Sequence, residues 1–222
     1  MLLIDKPLKW TSFDVVNKLR YGLKRLLQVK KIKVGHAGTL DPLATGLLII
    51  CTGKATKQID NYQGMPKEYT GTLKLGATTP SYDAETEPDA AFPVDHITEA
   101  QLHAAAQQLT GFIEQVPPMF SAIKVDGQPL YKKARQGKTV ERKSRTIEIS
   151  QFELTEIRLP ESEVDFLIRC SKGTYVRTLA HDFGAAVGSG AYLTALRRTA
   201  IGEYRVENAW ELEALMGELD NE

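Results

Sequence analysis

Two hydrophobic periods share this chain. Leu2-Leu3-Ile4 reads as a short strand that Pro7 ends. Val15, Val16, Leu19, Leu23, Leu26 and Leu27 then recur at helical spacing, which predicts a helix with one packing face and one basic face. Thr11 and Asp14 stand at the N-cap and N3 positions of a capping box. Leu47 to Cys51 is a continuous apolar run, the pattern of a buried strand, and a short helix starts at Gly53. Period two returns from Glu68 to Gly76, with Tyr69, Gly71, Leu73 and Leu75 on one face. Residues 77–93 are rich in Pro, Asp, Glu and Thr and predict a surface loop. Thr98 to Leu109 predicts a helix, with a Thr98/Gln101 capping box, a staple of Ile97 on Leu102 and a stop at Gly111. A short strand, Phe112 to Val116, ends at Pro117-Pro118. Thr146 to Leu159 and Val164 to Cys170 alternate as two antiparallel strands around a turn at Pro160-Glu161-Ser162. A helix over Val176 to Val187, a strand over Ala191 to Thr199 and a terminal helix over Trp210 to Leu215 complete the pattern.

Composition narrows the class. The 222 residues fit one large domain or one and a half, and 42% hydrophobic with 25% charged residues is ordinary for a globular protein. No apolar run approaches the length of a membrane span, and the N-terminus lacks the form of a signal peptide, so a cytoplasmic protein is expected. Cys51 and Cys170 lie in apolar strands, as buried thiols in a reducing compartment would. The four histidines, His36, His96, His103 and His181, have no ligand spacing, so no metal is expected.

Net charge is zero, but its distribution is uneven. No acidic residue falls between Val15 and Leu40, where Lys18, Arg20, Lys24, Arg25, Lys30, Lys31 and Lys33 occur. A second basic run holds Lys132, Lys133, Arg135, Lys138, Arg142, Lys143 and Arg145 around Gly137. Phosphate binding depends on a local positive face, so nucleic acid is a candidate partner.

The chain's densest chemistry lies in residues 34–51. Gly35, Gly38 and Gly46 punctuate a segment that carries His36 and one carboxylate, Asp41, before the apolar run. Pro42 biases Asp41 away from the α region, so the segment predicts a shaped loop that presents a carboxylate at the mouth of a core strand. The residues alone also fit a plain Asp-Pro turn. The stretch from Gly35 to Gly46 (GHAGTLDPLATG) resembles the signature loop of the TruB family of tRNA pseudouridine synthases. Residues 1–16 resemble that family's N-terminus, 119–137 its "thumb" insertion, 171–179 (SKGTYVRTL) a third motif and 191–199 a further one, all in the expected order.

The resemblance implies a pseudouridine synthase fold: α/β of the α+β type, with a central, mainly antiparallel mixed sheet flanked by helices. The alternating strands agree with it. It also implies one catalytic domain over 1–222, a thumb-like insertion at about 117–145 and no separate C-terminal RNA-binding domain. The implied activity is isomerisation of a uridine to pseudouridine in the TΨC loop of tRNA, at position 55, by a monomer without cofactor or metal. Asp41 is the implied nucleophile, with Arg177 as its partner. Tyr69 stacks on the uracil, and Tyr175 and Leu196 complete the pocket. His36 supports the flipped-out RNA, and Lys57 contacts it. Lys132, Lys133 and Arg135 form the thumb's phosphate-binding surface. An alternative is a tRNA-binding folding helper with little or no catalysis. A glycoside hydrolase would need a second carboxylate, which the motif loops do not contain.

Overall fold

The computed structural model describes residues 1–125 and 127–221. In chain order, β1 (Leu2–Lys6) leads to α1 (Ser12–Leu26), β2 (Val34–Ala37) and β3 (Ala44–Thr52). A 3₁₀ turn, Gly53–Gln58, runs into α2 (Ile59–Gly64), followed by β4 (Lys67–Leu75). Short β5 (Ala77–Thr78) and β6 (Ala90–Ala91) bracket the acidic loop before α3 (Glu99–Gln108) and β7 (Gly111–Gln115). Next come β8 (Lys124–Val125), β9 (Gln128–Pro129) and α4 (Leu130–Ala134), then the long β10 (Arg145–Arg158) and β11 (Glu163–Cys170). The chain closes with α5 (Val176–Ala186), β12 (Ala191–Ile201), β13 (Tyr204–Arg205), a 3₁₀ turn at Val206–Asn208, β14 (Trp210–Glu211) and α6 (Leu212–Asn221). The class is α/β with a central mixed sheet, as expected.

Two compact units share these elements: residues 1–70 together with 196 onward, and Gly71–Ala195. In the first, the strands run β14-β1-β3-β12-β4, with β2 on β3 and β13 on β12. β1 is antiparallel to β3, and β12 is parallel to it, with Leu196 opposite Ala44 and Arg198 opposite Gly46. The apolar run of β3 is explained by burial on both faces. Leu48 and Ile50 pack with Ile4, Val15, Val16, Leu19, Leu215 and Met216 under α1 and α6. Leu47, Ile49 and Cys51 pack on the other face with Ala37, Ile201 and Val206. The Thr11/Asp14 capping box forms at the start of α1. A Cβ on Gly22 would lie 2.8 Å from the Met216 methyl, so this glycine is what lets α6 close on α1.

In the second unit, β10 pairs antiparallel with both β11 and β7. Phe152 meets Phe166 edge-on at 6.2 Å and Phe183 of α5 at 5.5 Å, forming the aromatic centre of its core. The Thr98/Gln101 capping box starts α3, as the spacing predicts. The thumb-like segment consists of the β8–β9 hairpin and the short α4; Asp126 lies outside the described residues.

Some boundaries differ from the pattern reading. The segment around His36 is a strand, β2, because its backbone pairs with β3 from Val34↔Thr52 to Ala37↔Ile49 even though its side chains show no clear period. Trp210 and Glu211 do not begin the terminal helix; they pair in parallel with Ile4 and Asp5. Among the described residues no helix is long and apolar enough to cross a membrane.

Candidate active site

The loop between β2 and β3 is shaped by its backbone. Gly38 and Gly46 take φ of +94° and +101°, a region that favours glycine. Leu40, buried, exchanges two hydrogen bonds with Ser12 at the start of α1. The Leu40 N–H donates to Ser12 Oγ at 2.8 Å, and that hydroxyl donates to the Leu40 carbonyl at 3.2 Å. The Asp41 carbonyl accepts from Ala44 N–H at 3.0 Å, closing the turn, and the Pro42 carbonyl accepts from Lys9 N–H at 2.8 Å. Asp41 itself is half-buried.

Two cations with no solvent contact lie beneath this loop: Lys6 is 0% and Arg198 1% exposed. Lys6 Nζ donates to the carbonyls of Pro7 (2.9 Å), Trp10 (2.5 Å) and Pro42 (3.5 Å). The Arg198 guanidinium donates to the carbonyls of Leu47 (2.8 Å), Gly38 (3.1 Å) and Thr39 (3.5 Å). Buried charges persist when their donors are satisfied, and here the acceptors are backbone carbonyls, of which Gly38, Thr39 and Pro42 belong to the loop itself. Burial pushes the Lys6 ammonium down to about 8; the Asp41 carboxylate opposes that shift and Arg198 adds to it. Asp41, Lys6 and Arg198 are therefore one electrostatic cluster. His36, on β2, has its pKa lowered, first by burial and then by Arg198, against a backbone hydrogen bond with Gly38. Burial thus favours the neutral ring over the imidazolium.

Leu196 and Tyr69 stand on the two strands beyond β3. Leu196, half-buried, is opposite Ala44. Tyr69 is buried at 8% exposure on β4. The next residue of β12, Arg197, clasps Asp5 through two bonds of 3.0 and 2.6 Å. Lys57 is exposed on the 3₁₀ turn Gly53–Gln58. The first unit thus holds His36, Asp41, Lys57, Tyr69 and Leu196.

The remaining candidates belong to the second unit. Tyr175 is the N-cap residue of α5. The buried Gln115 side chain fixes its backbone by accepting from Tyr175 N–H at 2.7 Å and donating to the Tyr175 carbonyl at 3.1 Å. The Arg145 guanidinium lies 4.7 Å over its ring. Arg177, only 4% exposed, donates to the carbonyls of Phe120 (2.7 Å) and Ser81 (2.9 Å) and pairs with the buried Asp83 at 3.6 Å. Lys132 and Lys133 lie on α4 and Arg135 caps its end. Arg135 pairs with Glu85 at 2.7 Å and covers the Tyr131 ring at 5.6 Å.

Sequence reasoning missed Lys6, Ser12, Arg198, Asp83 and Gln115. One signal was present: Arg198 occupies the same side of β12 as Leu196 and the buried Ala200, and a charge at a core position asks for an explanation. Asp83 had no signal, because it sits in an acidic, loop-like stretch.

Comparison with known proteins places the chain among the pseudouridylate synthases, which are isomerase enzymes. Residues 24–176 match the N-terminal domain of the TruB family pseudouridylate synthases, and 177–221 match the tRNA pseudouridylate synthase B C-terminal domain. The chain belongs to the TruB family. It is 59% identical to a tRNA pseudouridine synthase B of Flavobacterium johnsoniae, over 96% of this chain and 92% of that protein. It is 56% identical to the protein of the same name from Phocaeicola vulgatus, over 100% and 94%. Among solved structures, a chain of a Cbf5-Nop10-Gar1 complex aligns with a TM-score of 0.70 at 28% identity, covering 97% of this chain and 53% of that one. The chain therefore spans about half the length of that solved chain. An H/ACA RNP bound to a substrate RNA containing 2'-deoxyuridine aligns with a TM-score of 0.68 at 26% identity, over 97% and 52%.

Proposed function

We propose that this enzyme converts a uridine of tRNA, at position 55 in the TΨC loop, to pseudouridine, with Asp41 as the nucleophile. The observation that carries the reading is the loop around Asp41. Its backbone is tied down by two fully buried cations and by Ser12, while Asp41 is only half-buried beside them. A carboxylate on a loop held in one geometry is aimed at one point in space, which a nucleophile requires.

The isomerisation breaks the N1–C1′ bond, turns the uracil and joins C5 to C1′; C5 loses a proton and N1 gains one. It is neither oxidation nor reduction, so the atoms and electrons balance without a cofactor. Asp41 divides the exchange into two steps by attacking the nucleotide and leaving again. The target base stacks in a folded loop, and flipping it out costs a few kcal/mol. His36, neutral and planar, supports the RNA from which the base has left. Tyr69 stacks on the uracil and helps remove the C5 proton, with Leu196 beside it on β12. Tyr175 and Arg177 serve the same substrate, Arg177 by its charge, and Lys57, Lys132, Lys133 and Arg135 bind phosphates. The names of the curated relatives, tRNA pseudouridine synthase B, support tRNA as the substrate.

The test is tritium release from an unmodified tRNA transcript labelled at C5 of uridine. Wild type releases label from one loop uridine, and Asp41→Asn binds the transcript but releases none. Release by the variant would remove Asp41 as nucleophile. Saturable binding without release by wild type would leave an RNA-folding helper.

A further inference from the structure

The end of α1 away from the motif loop carries charge that none of these roles uses. Lys24 lies in the last turn of α1, and Lys30, Lys31 and Lys33 lie in the connection to β2; all four are exposed. The Gly53 N–H donates to the Lys33 carbonyl at 2.8 Å, which sets the 3₁₀ turn with exposed Lys54 and Lys57 alongside them. Tyr21, 69% exposed, stands one turn before Lys24. Among the described residues none of these six lysines pairs with a carboxylate. Arg135 of the thumb-like segment differs, since Glu85 already occupies it.

The position of this charge follows from the helix that carries it. Ser12, at the start of α1, is bonded to Leu40 of the motif loop. Lys24 lies twelve residues further on, about 18 Å along the axis. Lys33 is separated from the loop by the four residues of β2, about 13 Å of extended chain. One strand of an A-form RNA duplex presents a phosphate about every 2.8 Å along its axis, closer than in B-form DNA, so this span corresponds to roughly five to six nucleotides.

We infer that the end of α1 and the α1–β2 connection form a second phosphate-binding strip beside Lys57, which grips the RNA backbone about five to six nucleotides from the isomerised uridine. The strip rests on the tRNA reading above and extends it. Lysines without internal partners act as point charges on phosphates and read no sequence, so the strip contributes affinity and register and takes no part in chemistry. Tyr21 offers a ring for a ribose or an unpaired base beside it.

The experiment compares wild type with the quadruple variants Lys24→Gln/Lys30→Gln/Lys31→Gln/Lys33→Gln and the matching four Lys→Arg changes, on a full-length unmodified tRNA transcript. The Gln variant is expected to bind at least tenfold more weakly at 0.15 M salt. Its slope of log affinity against log salt should fall by roughly three, at about 0.7–0.9 for each lost phosphate contact. Single-turnover rate at saturating enzyme should stay at the wild-type value, and the Arg variant should restore binding. Ethylation of phosphates about five to six nucleotides from the target should impair binding by wild type and not by the Gln variant. An unchanged salt slope would overturn the strip. So would interference lost only beside the target, or a fall in the saturated rate. Wild type that neither binds nor isomerises the transcript would overturn the function reading itself, and the strip with it.

Discussion

Gly46 and Arg198 face each other backbone to backbone, and a Cβ at residue 46 would stand 2.3 Å from the Arg198 carbonyl oxygen and 2.7 Å from its nitrogen. The same arginine returns through its side chain to the carbonyls on either side of that glycine's loop. Gly46→Ala meets both this clash and a φ of +101°. We expect it to cost about 3 kcal/mol or more of stability, read as a lower urea midpoint, and to reduce turnover through the distorted loop.

Lys6 makes stability depend on pH. Its pKa is about 8 in the folded protein against 10.5 for an ordinary lysine, with burial the first cause. Below pH 8 both states are protonated and the folded state carries the full cost of a buried charge. Between pH 8 and 10.5 the unfolded chain binds the proton that the folded chain has lost, so this group's contribution to stability rises with pH. Tyr82 and Tyr204, whose pKa values burial raises, act in the opposite sense in alkali. The measurement is therefore a difference: urea midpoints of wild type minus those of Lys6→Met should climb across that window, and a flat difference would contradict the assignment.

Arg177 is expected to matter to folding as well as to substrate. Arg177→Met withdraws a cation from buried Asp83 and a donor from each of two carbonyls. The loss should be roughly 3–5 kcal/mol. Arg177→Lys should recover only part of it, since an ammonium cannot span the same fork. Thermal unfolding of the two variants without RNA separates this effect from any role in catalysis.

Glu85 should restrain RNA binding. It holds Arg135 at 2.7 Å, with the arginine 62% exposed. Exposed pairs contribute up to about 1 kcal/mol, so Glu85→Gln should tighten tRNA binding by up to about fivefold at low salt. Arg135→Gln should weaken binding less than Lys132→Gln does. Equal losses would show that Glu85 does not compete with phosphate.

Much of the scaffold was legible in the chain. Capping boxes are local, so Thr11/Asp14 and Thr98/Gln101 announced their helices. The run from Leu47 to Cys51 announced a strand buried on both faces. β2 was hidden because its pairing with β3 uses backbone groups that side-chain periodicity does not record. Asp41 stood out by its setting among glycines and proline. Its supports, Lys6 and Arg198, did not, because a buried cation is recognisable only once the carbonyls around it are known. Arg177 drew notice as a partner for Asp41; its ion pair with Asp83 was not foreseeable, because it depends on the fold of an irregular loop.

The first unit is assembled from the two ends of the chain, and this orders events during synthesis. Arg198 is 151 residues beyond the Leu47 carbonyl it holds, and Arg197 is 192 beyond Asp5. Gly71–Ala195 is one continuous segment and can close while the chain is still growing. The loop that carries Asp41 cannot take its folded shape until β12 has emerged, so a nascent or C-terminally truncated chain carries Asp41 without the arginine that braces its loop.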